Sequence, residues 1–485
     1  MINGTLELDA RLFAALASVP ADAWERWFGL GVDPAGARLT QTLVAAFAIP
    51  ASTGHAAICV FECGHGTATP TLRQAALRRW AGPPPPGAQV LHEERAGNDQ
   101  VLWTLASAWA DAPLRTWLRE ALSAGASLRA DEWEWQATPE RPAVSRSTDG
   151  SSEQSDGWRH DVVRFPPGAM AVVYRTLTNG AQQELDLLRH LERVPGRRVA
   201  PTMLGSAIIR SPDGQTSASA ILEDVDPDAS SVRSIVVEHL RRWLGGDPTR
   251  HAAALDDMRA VGLIARELHA ALGRPFDNGV LLGAQAATVG DVEVWVARAW
   301  RALTAATLAL RTASVADAGR LSPALDLLPG KLERFAEVAK SAPGLTQRTH
   351  GELRLGTIMQ SPARQLTVVG FDGDPLLPET DRLAPHSPWR DVARLLLSIA
   401  DAAAEAARLA GGDASAVERA WDWEREARKA CLEGYGTGGG EMHALRAIFE
   451  VDFAAQSLLD AVSHGKPDDM AVASHTLQRL SRTIV

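Results

Sequence analysis

The period of its apolar residues divides this chain in two. From about Val225 onward, nearly every apolar residue recurs at helical spacing. Before that point, short β-branched runs alternate with single helices. That order predicts an α+β chain with a β-rich part first and a helical part second. The β-like runs extend from Thr40 to Ile49, from Ala56 to Phe61 and from Ala171 to Leu177. Between Ala200 and Val225, two strands are joined by Pro212-Asp213-Gly214, a sequence suited to a tight turn. Helical spacing is read from Ala14 to Phe28, from Asn98 to Ala124 and from Arg259 to Leu272. It recurs from Trp389 to Ala410, from Ala416 to Leu432 and from Glu441 to Val462.

Length and charge bound the function. A chain of 485 residues with 46% hydrophobic content can bury a large core and is expected to hold two or three domains. A net charge of -10 and a pI near 5.8 argue against a nucleic-acid or anionic-membrane surface, since both need a concentrated basic face. The three cysteines, Cys59, Cys63 and Cys431, have no histidine or cysteine cluster around them, so buried thiols in a reducing cytoplasm are expected. No run of about eighteen apolar residues is present. Two stretches read as linkers: the stiff run Pro83 to Pro86, and the Pro/Ser/Asp-rich segment from Thr138 to Asp149.

The chemistry-bearing residues concentrate in one place. His350-Gly351-Glu352-Leu353-Arg354-Leu355-Gly356-Thr357 is a polar turn, and a short β run from Leu366 to Val369 then delivers Gly370-Phe371-Asp372-Gly373-Asp374-Pro375. Carboxylates brought together this way suit a metal, a phosphate or a sugar hydroxyl.

This pair of loops resembles the catalytic and metal-binding loops of the maltokinases, a branch of the aminoglycoside-phosphotransferase-like kinases. Ser387-Pro388-Trp389-Arg390-Asp391-Val392-Ala393 is similar to the helix opening that follows in that family, and Arg26-Trp27-Phe28-Gly29 is similar to the start of its N-terminal cap. The resemblance implies a bilobal kinase-like α+β fold behind an α/β cap, with a cap at 1–87, connecting helices and a small lobe at 88–225, and a helical large lobe at 226–485. It also implies roles for individual residues. Glu352, His350 and Asp372 fall on catalytic positions, and Asp372 with Asp374 on the metal loop. Ser152, Gln154, Ser155, Asp186 and Thr357 fall where nucleotide and metal are handled. Asp452 and Gln456 lie on the final helix, where the family shapes its sugar pocket. Arg390 and Asp391 are expected to form a buried structural pair near the loop, and Arg354 is expected to pair with Glu352, Asp372 or Asp374. His269 is expected to be a packed structural histidine.

Departures from the family pattern shape the functional expectation. Val172 stands where the resemblance places a phosphate-pairing lysine, with Asp186 as its acidic partner and Glu184 nearby. Glu352 stands at the catalytic aspartate, Thr357 at a metal-binding amide, Gly370 at a metal-binding aspartate, and Ser152 at a phosphate-loop glycine. Phosphoryl transfer relies on a cation and a metal at these points. The leading expectation is a pseudokinase that binds a sugar, a nucleotide or a partner with little or no transfer, a sugar-like or aminocyclitol molecule being a candidate ligand and Mg-ATP being implied by the family alone. An active atypical ATP-dependent kinase acting on a sugar alcohol group is the second reading. A repurposed acid–base enzyme using His350, Glu352 and Asp372 is the third. A monomer or homodimer is expected.

Overall fold

The computed structural model describes residues 8–29, 39–52, 55–65, 70–97, 99–141, 151–156, 160–166, 168–178, 183–226, 228–275, 283–313, 318–374, 377, 379–436 and 440–483. The chain forms two compact units. One comprises Met1–Arg189 with Pro201–Asp228, and the other His190–Ala200 with Ala229–Val485.

The first unit opens with α1 (Ala10–Ser18) and α2 (Ala21–Phe28). Sequence periodicity reads these as one helix. Val19 and Pro20 are both extended and split it, because proline restricts the residue before it. Strands β1 (Leu39–Ala48), β2 (Ala56–His65), β3 (Thr71–Trp80), β4 (Val90–Arg95) and β5 (Val101–Ser107) form an antiparallel sheet in the order β1-β2-β3-β5-β4. The proline run at 83–86 therefore connects two strands of one sheet. The helix expected from Asn98 resolves into strand β5 and helix α3 (Ala112–Ala124). The last four residues of β5 are all buried, so the alternation that marks a strand is lost there.

A seven-stranded antiparallel sheet follows. Its strands are β6 (Ala126–Ala130), β7 (Trp133–Pro139), β8 (Ser152–Asp156), β9 (His160–Phe165), β10 (Ala169–Tyr174), β12 (Thr202–Arg210) and β13 (Thr216–Asp224), in the order β6-β7-β12-β13-β10-β9-β8. The turn expected at 212–214 joins β12 to β13, and Gly214 takes the positive φ of +84° that the turn requires. Helix α4 (Gln183–Arg193) leads out of this part of the chain. Cys59 and Cys63 on β2 are buried thiols, pushed up to about 12 and about 11 by burial.

The run expected as one strand from Ala171 to Leu177 breaks at Arg175. Beyond it, β11 (Thr176–Leu177) leaves the seven-stranded sheet and pairs with β3 of the first one. Arg175 lies at this crossing, 1% exposed. Its Nε and Nη2 donate to Asp161 at 2.9 and 2.6 Å, its Nη1 donates to the Trp27 carbonyl at 2.8 Å, and its guanidinium lies 4.7 Å from the Trp27 ring centre. Gln74 completes the seam, donating to the carbonyls of Tyr174 and Ser219 and accepting from the Ser219 hydroxyl. All its polar atoms are satisfied, as burial demands.

The second unit is helical: α5 (Val232–Leu244), α6 (Thr249–Leu272), α7 (Val289–Thr312), α8 (Ala318–Ser341), α9 (Glu379–Leu383), α10 (Pro388–Leu409), α11 (Ala414–Tyr435), α12 (Gly440–His464) and α13 (Pro467–Arg482). Helix α10 is central and packs against α5, α11, α12 and α13. Two short ladders accompany the helices. One joins β14 (Ser230–Ser231), β17 (Ile358–Gln360) and β18 (Leu366–Val368), and the other pairs β15 (Gln285–Ala286) with β16 (Leu345–Thr346).

Arg175 compensates a carboxylate that is itself 1% exposed. Substituting Arg175→Met should therefore cost about 3–5 kcal/mol of stability by stranding Asp161, measured by urea denaturation.

Candidate functional site

The loop from His350 to Thr357 is held by a single carboxylate. Ser387 caps α10 by accepting from the Trp389 N–H, and this sets Asp391 in the first helical turn, 0% exposed. Asp391 accepts from the His350 N–H at 2.8 Å and the Gly351 N–H at 2.9 Å. Gly351 has φ +85°, and a Cβ there would stand 3.1 Å from Gly373 Cα, so only glycine lets the two loops approach this closely. Burial alone raises the Asp391 pKa. The His269 hydrogen bond and the nearby Arg390 guanidinium help outweigh it and hold the carboxyl below its usual range.

Behind Asp391 runs a second tether. His269 Nε2 lies 3.1 Å from Asp391 Oδ2, and its Nδ1 lies 2.9 Å from the Tyr435 hydroxyl. His269 is thus a packed, hydrogen-bonded histidine. The tether depends on a close crossing of α6 and α11. A Cβ on Gly262 would fall 1.9 Å from the Cys431 carbonyl oxygen, and one on Gly434 would fall 2.0 Å from that of Arg259.

His350 is spent on the backbone. Its Nδ1 accepts from the Glu352 N–H at 3.2 Å, and its Nε2 lies 3.1 Å from the Val369 carbonyl and donates to it. Both nitrogens are committed to main-chain partners. Burial pushes its pKa down, against the pull of Asp391, Asp372 and Glu352, so the ring is neutral. Thr357 is similarly engaged in its own turn, accepting from the Arg354 N–H and donating to the Arg354 carbonyl, both at 3.0 Å.

The acids of the site are paired with arginine. Glu352 forms an ion pair through Oε1 with Arg354, as expected from the sequence, and its Oε2 lies 3.2 Å from Arg394 Nη2. The same Arg394 nitrogen is 2.6 Å from Asp374 Oδ2, and Arg390 Nη2 is 3.4 Å from that oxygen. Both guanidinium groups lie over the Phe453 ring of α12, at 4.0 Å for Arg394 and 5.3 Å for Arg390. Arg390 and Asp391 are both buried, as expected, but their hydrogen-bonded partners are Asp374 and the His350–His269 group rather than each other. Asp372 is half-buried on the same loop. Asp452 receives Arg298 Nε at 2.9 Å and Gln456 Nε2 at 2.6 Å, and burial raises its pKa against those partners.

Sequence reading did not single out Arg394, Arg298 or Asp401. Arg394 and Asp401 follow Arg390 at helical intervals on α10, and that spacing was the available signal. Burial pushes Asp401 up to about 6 against the nearby charges of Arg354, Arg233 and Arg394.

The other candidates belong to the first unit. Ser152 is exposed on β8, and the side chains of Gln154 and Ser155 lie outside the described residues, as does Pro375. Val172 is 9% exposed on β10, between Val162 and Ile221. On α4 it is Glu184 that is buried, 5% exposed and bonded to the Tyr174 hydroxyl, whereas Asp186 is half-buried. Glu223 on β13 is 1% exposed, and burial together with the charge of Glu184 pushes it well up. His160 acts on Glu223 in the opposite sense, and Val172 contributes no charge where the resemblance implies a lysine. Among the described residues, no group of three or more His, Cys, Asp or Glu is arranged to hold a metal.

Two outcomes follow for the loop. Gly262→Ala should force α6 from α11 and cost about 1–3 kcal/mol or more in denaturation experiments, since overpacking a close crossing is rarely relieved. Below a pH of about 6.5, the unfolded His350 takes up a proton that the folded one does not. Stability should therefore fall with acidification from about pH 6.5 by up to roughly 1.4 kcal/mol per pH unit, read from urea midpoints. His386, pushed down to about 4 by burial, adds in the same direction.

No family model matches the sequence. The curated glucosamine kinase of Mycolicibacterium smegmatis is 29% identical over 195 residues, a match that spans 39% of this chain and 39% of that protein's length. A solved glucosamine kinase in complex with glucosamine, ADP and inorganic phosphate superposes with a TM-score of 0.59 at 20% identity, covering 99% of this chain and 100% of that one. A second crystal form of glucosamine kinase gives 0.58 at 20% identity, covering 99% of both chains. Over nearly its whole length, the chain thus has the kinase-like α+β fold of glucosamine kinase.

Proposed function

We propose that this protein binds a sugar-like ligand, an amino sugar being the first candidate, and transfers phosphate to it slowly or not at all. The observation that carries this reading is the closure of Glu352. Its two oxygens face Arg354 and Arg394, so the carboxylate best placed by the loop to accept a hydroxyl proton is already neutralised from both sides. An incoming hydroxyl would have to displace one of these two guanidinium partners to reach the carboxylate. His350 offers no free nitrogen in its place. Val172 adds to the argument, since the maltokinase resemblance puts a phosphate-pairing lysine there and valine carries no charge.

The ligand class rests on likeness. The fold is that of a protein solved with glucosamine, and the maltokinase resemblance of the loops also points to a sugar. In this reading the N-terminal helices and first sheet form a maltokinase-like cap.

Likeness to glucosamine kinase favours a second reading, an active amino-sugar kinase of unusual site chemistry. Turnover separates the two. Kinases typically run at about 1–100 s⁻¹, and we expect transfer from ATP to glucosamine below about 0.01 s⁻¹ with magnesium present. Magnesium-ATP should also leave the melting temperature unchanged, whereas a ligand at a hundred times its Kd adds about 2.7 kcal/mol. Turnover in the ordinary kinase range, or a melting shift that a chelator reverses, would establish the second reading instead.

A further inference from the structure

The kinase-like fold implies a divalent cation beside its nucleotide, and the donors present here do not suit one. Resting on the proposed reading of the site, we infer that Arg394 takes the place of that cation, so that the cluster is charge-balanced and binds its ligand without metal. One nitrogen, Arg394 Nη2, bridges carboxylates from two different loops, at 2.6 Å from Asp374 and 3.2 Å from Glu352. Bridging of this kind is what a bound metal ion does between loops. The guanidinium is fixed in place, 6% exposed and 4.0 Å above the Phe453 ring. Arg390, one helical turn earlier on α10, faces the same Asp374 oxygen, so an incoming divalent ion would sit against two positive charges.

Two further metal positions of the resemblance, Thr357 and Gly370, offer no donor, which leaves the half-buried Asp372 as the one other carboxylate of this loop among the described residues. The Thr357 hydroxyl is engaged within its own turn. Gly370, where the resemblance puts a metal-binding aspartate, has no side chain. Its φ of +78° disfavours one, although a Cβ there would meet nothing nearer than Thr357 Cγ2 at 3.9 Å. The space is open but the ligand atoms are absent.

Manganese alone is the probe, followed by electron paramagnetic resonance and by thermal melting without nucleotide. The wild-type chain should show no saturable binding and no melting shift up to about 5 mM manganese. Arg394→Ala and Arg394→Gln, the second keeping a hydrogen-bond donor for Asp374, should each bind manganese at least about tenfold more tightly than wild type, and Asp374→Asn added to either should remove that gain. Saturable binding by the wild type that Asp374→Asn abolishes would overturn the inference, as would a folded Arg394→Ala that gains none. If neither variant folds, the wild-type titration decides alone. A phosphoryl-transfer assay in chelator keeps the two proposals apart. Transfer without metal overturns the proposed function and leaves this inference standing, whereas manganese binding without transfer does the reverse.

Discussion

Much of the second unit's chemistry depends on one buried carboxylate that accepts two backbone amides. Asp391 cannot reach water, so its charge is sustained by the N–H groups of His350 and Gly351 and by His269. Charge-assisted hydrogen bonds of this kind are short and directional. They fix the start of the loop against α10, and everything the loop carries inherits that position. Tyr435 extends the restraint to α11, and the glycine crossing of α6 and α11 is what brings its hydroxyl within reach.

Around that anchor the site is balanced by arginine. Buried ion pairs contribute little net stability, because desolvation offsets most of the attraction. Removing one partner is costly all the same. The pairs of Arg394 and Arg390 with Asp374, and of Arg354 with Glu352, are therefore costly to break without being a large net source of stability. Arg175 applies the same logic in the first unit, where it joins two sheets and the end of α2.

The legible parts of the sequence were those where a local rule had no competitor. Ser387 with Pro388 opened α10 where the resemblance placed a helix opening, and Pro212-Asp213-Gly214 turned the chain between β12 and β13. Legibility failed where packing overruled period. Strand β5 is buried on both faces in its second half, so its period resembles a helix, and β3, also buried through its centre, carries no strand alternation there. Pro20 is the local signal that separates α1 from α2.

The sequence by itself determined the β-rich and helical halves, the loop that carries His350, Glu352, Asp372 and Asp374, and the pairing of Arg354 with an acid. These rest on period, capping, turn chemistry and short-range charge, all of which act over a few residues. Tertiary structure alone decided that His350 is neutral and bound to backbone, that Arg394 bridges Glu352 and Asp374, and that Glu184 rather than Asp186 turns inward. Each of those depends on which groups from distant segments share a desolvated volume. Burial and opposing charge there set protonation and pairing, and neither is written in the spacing of residues along the chain.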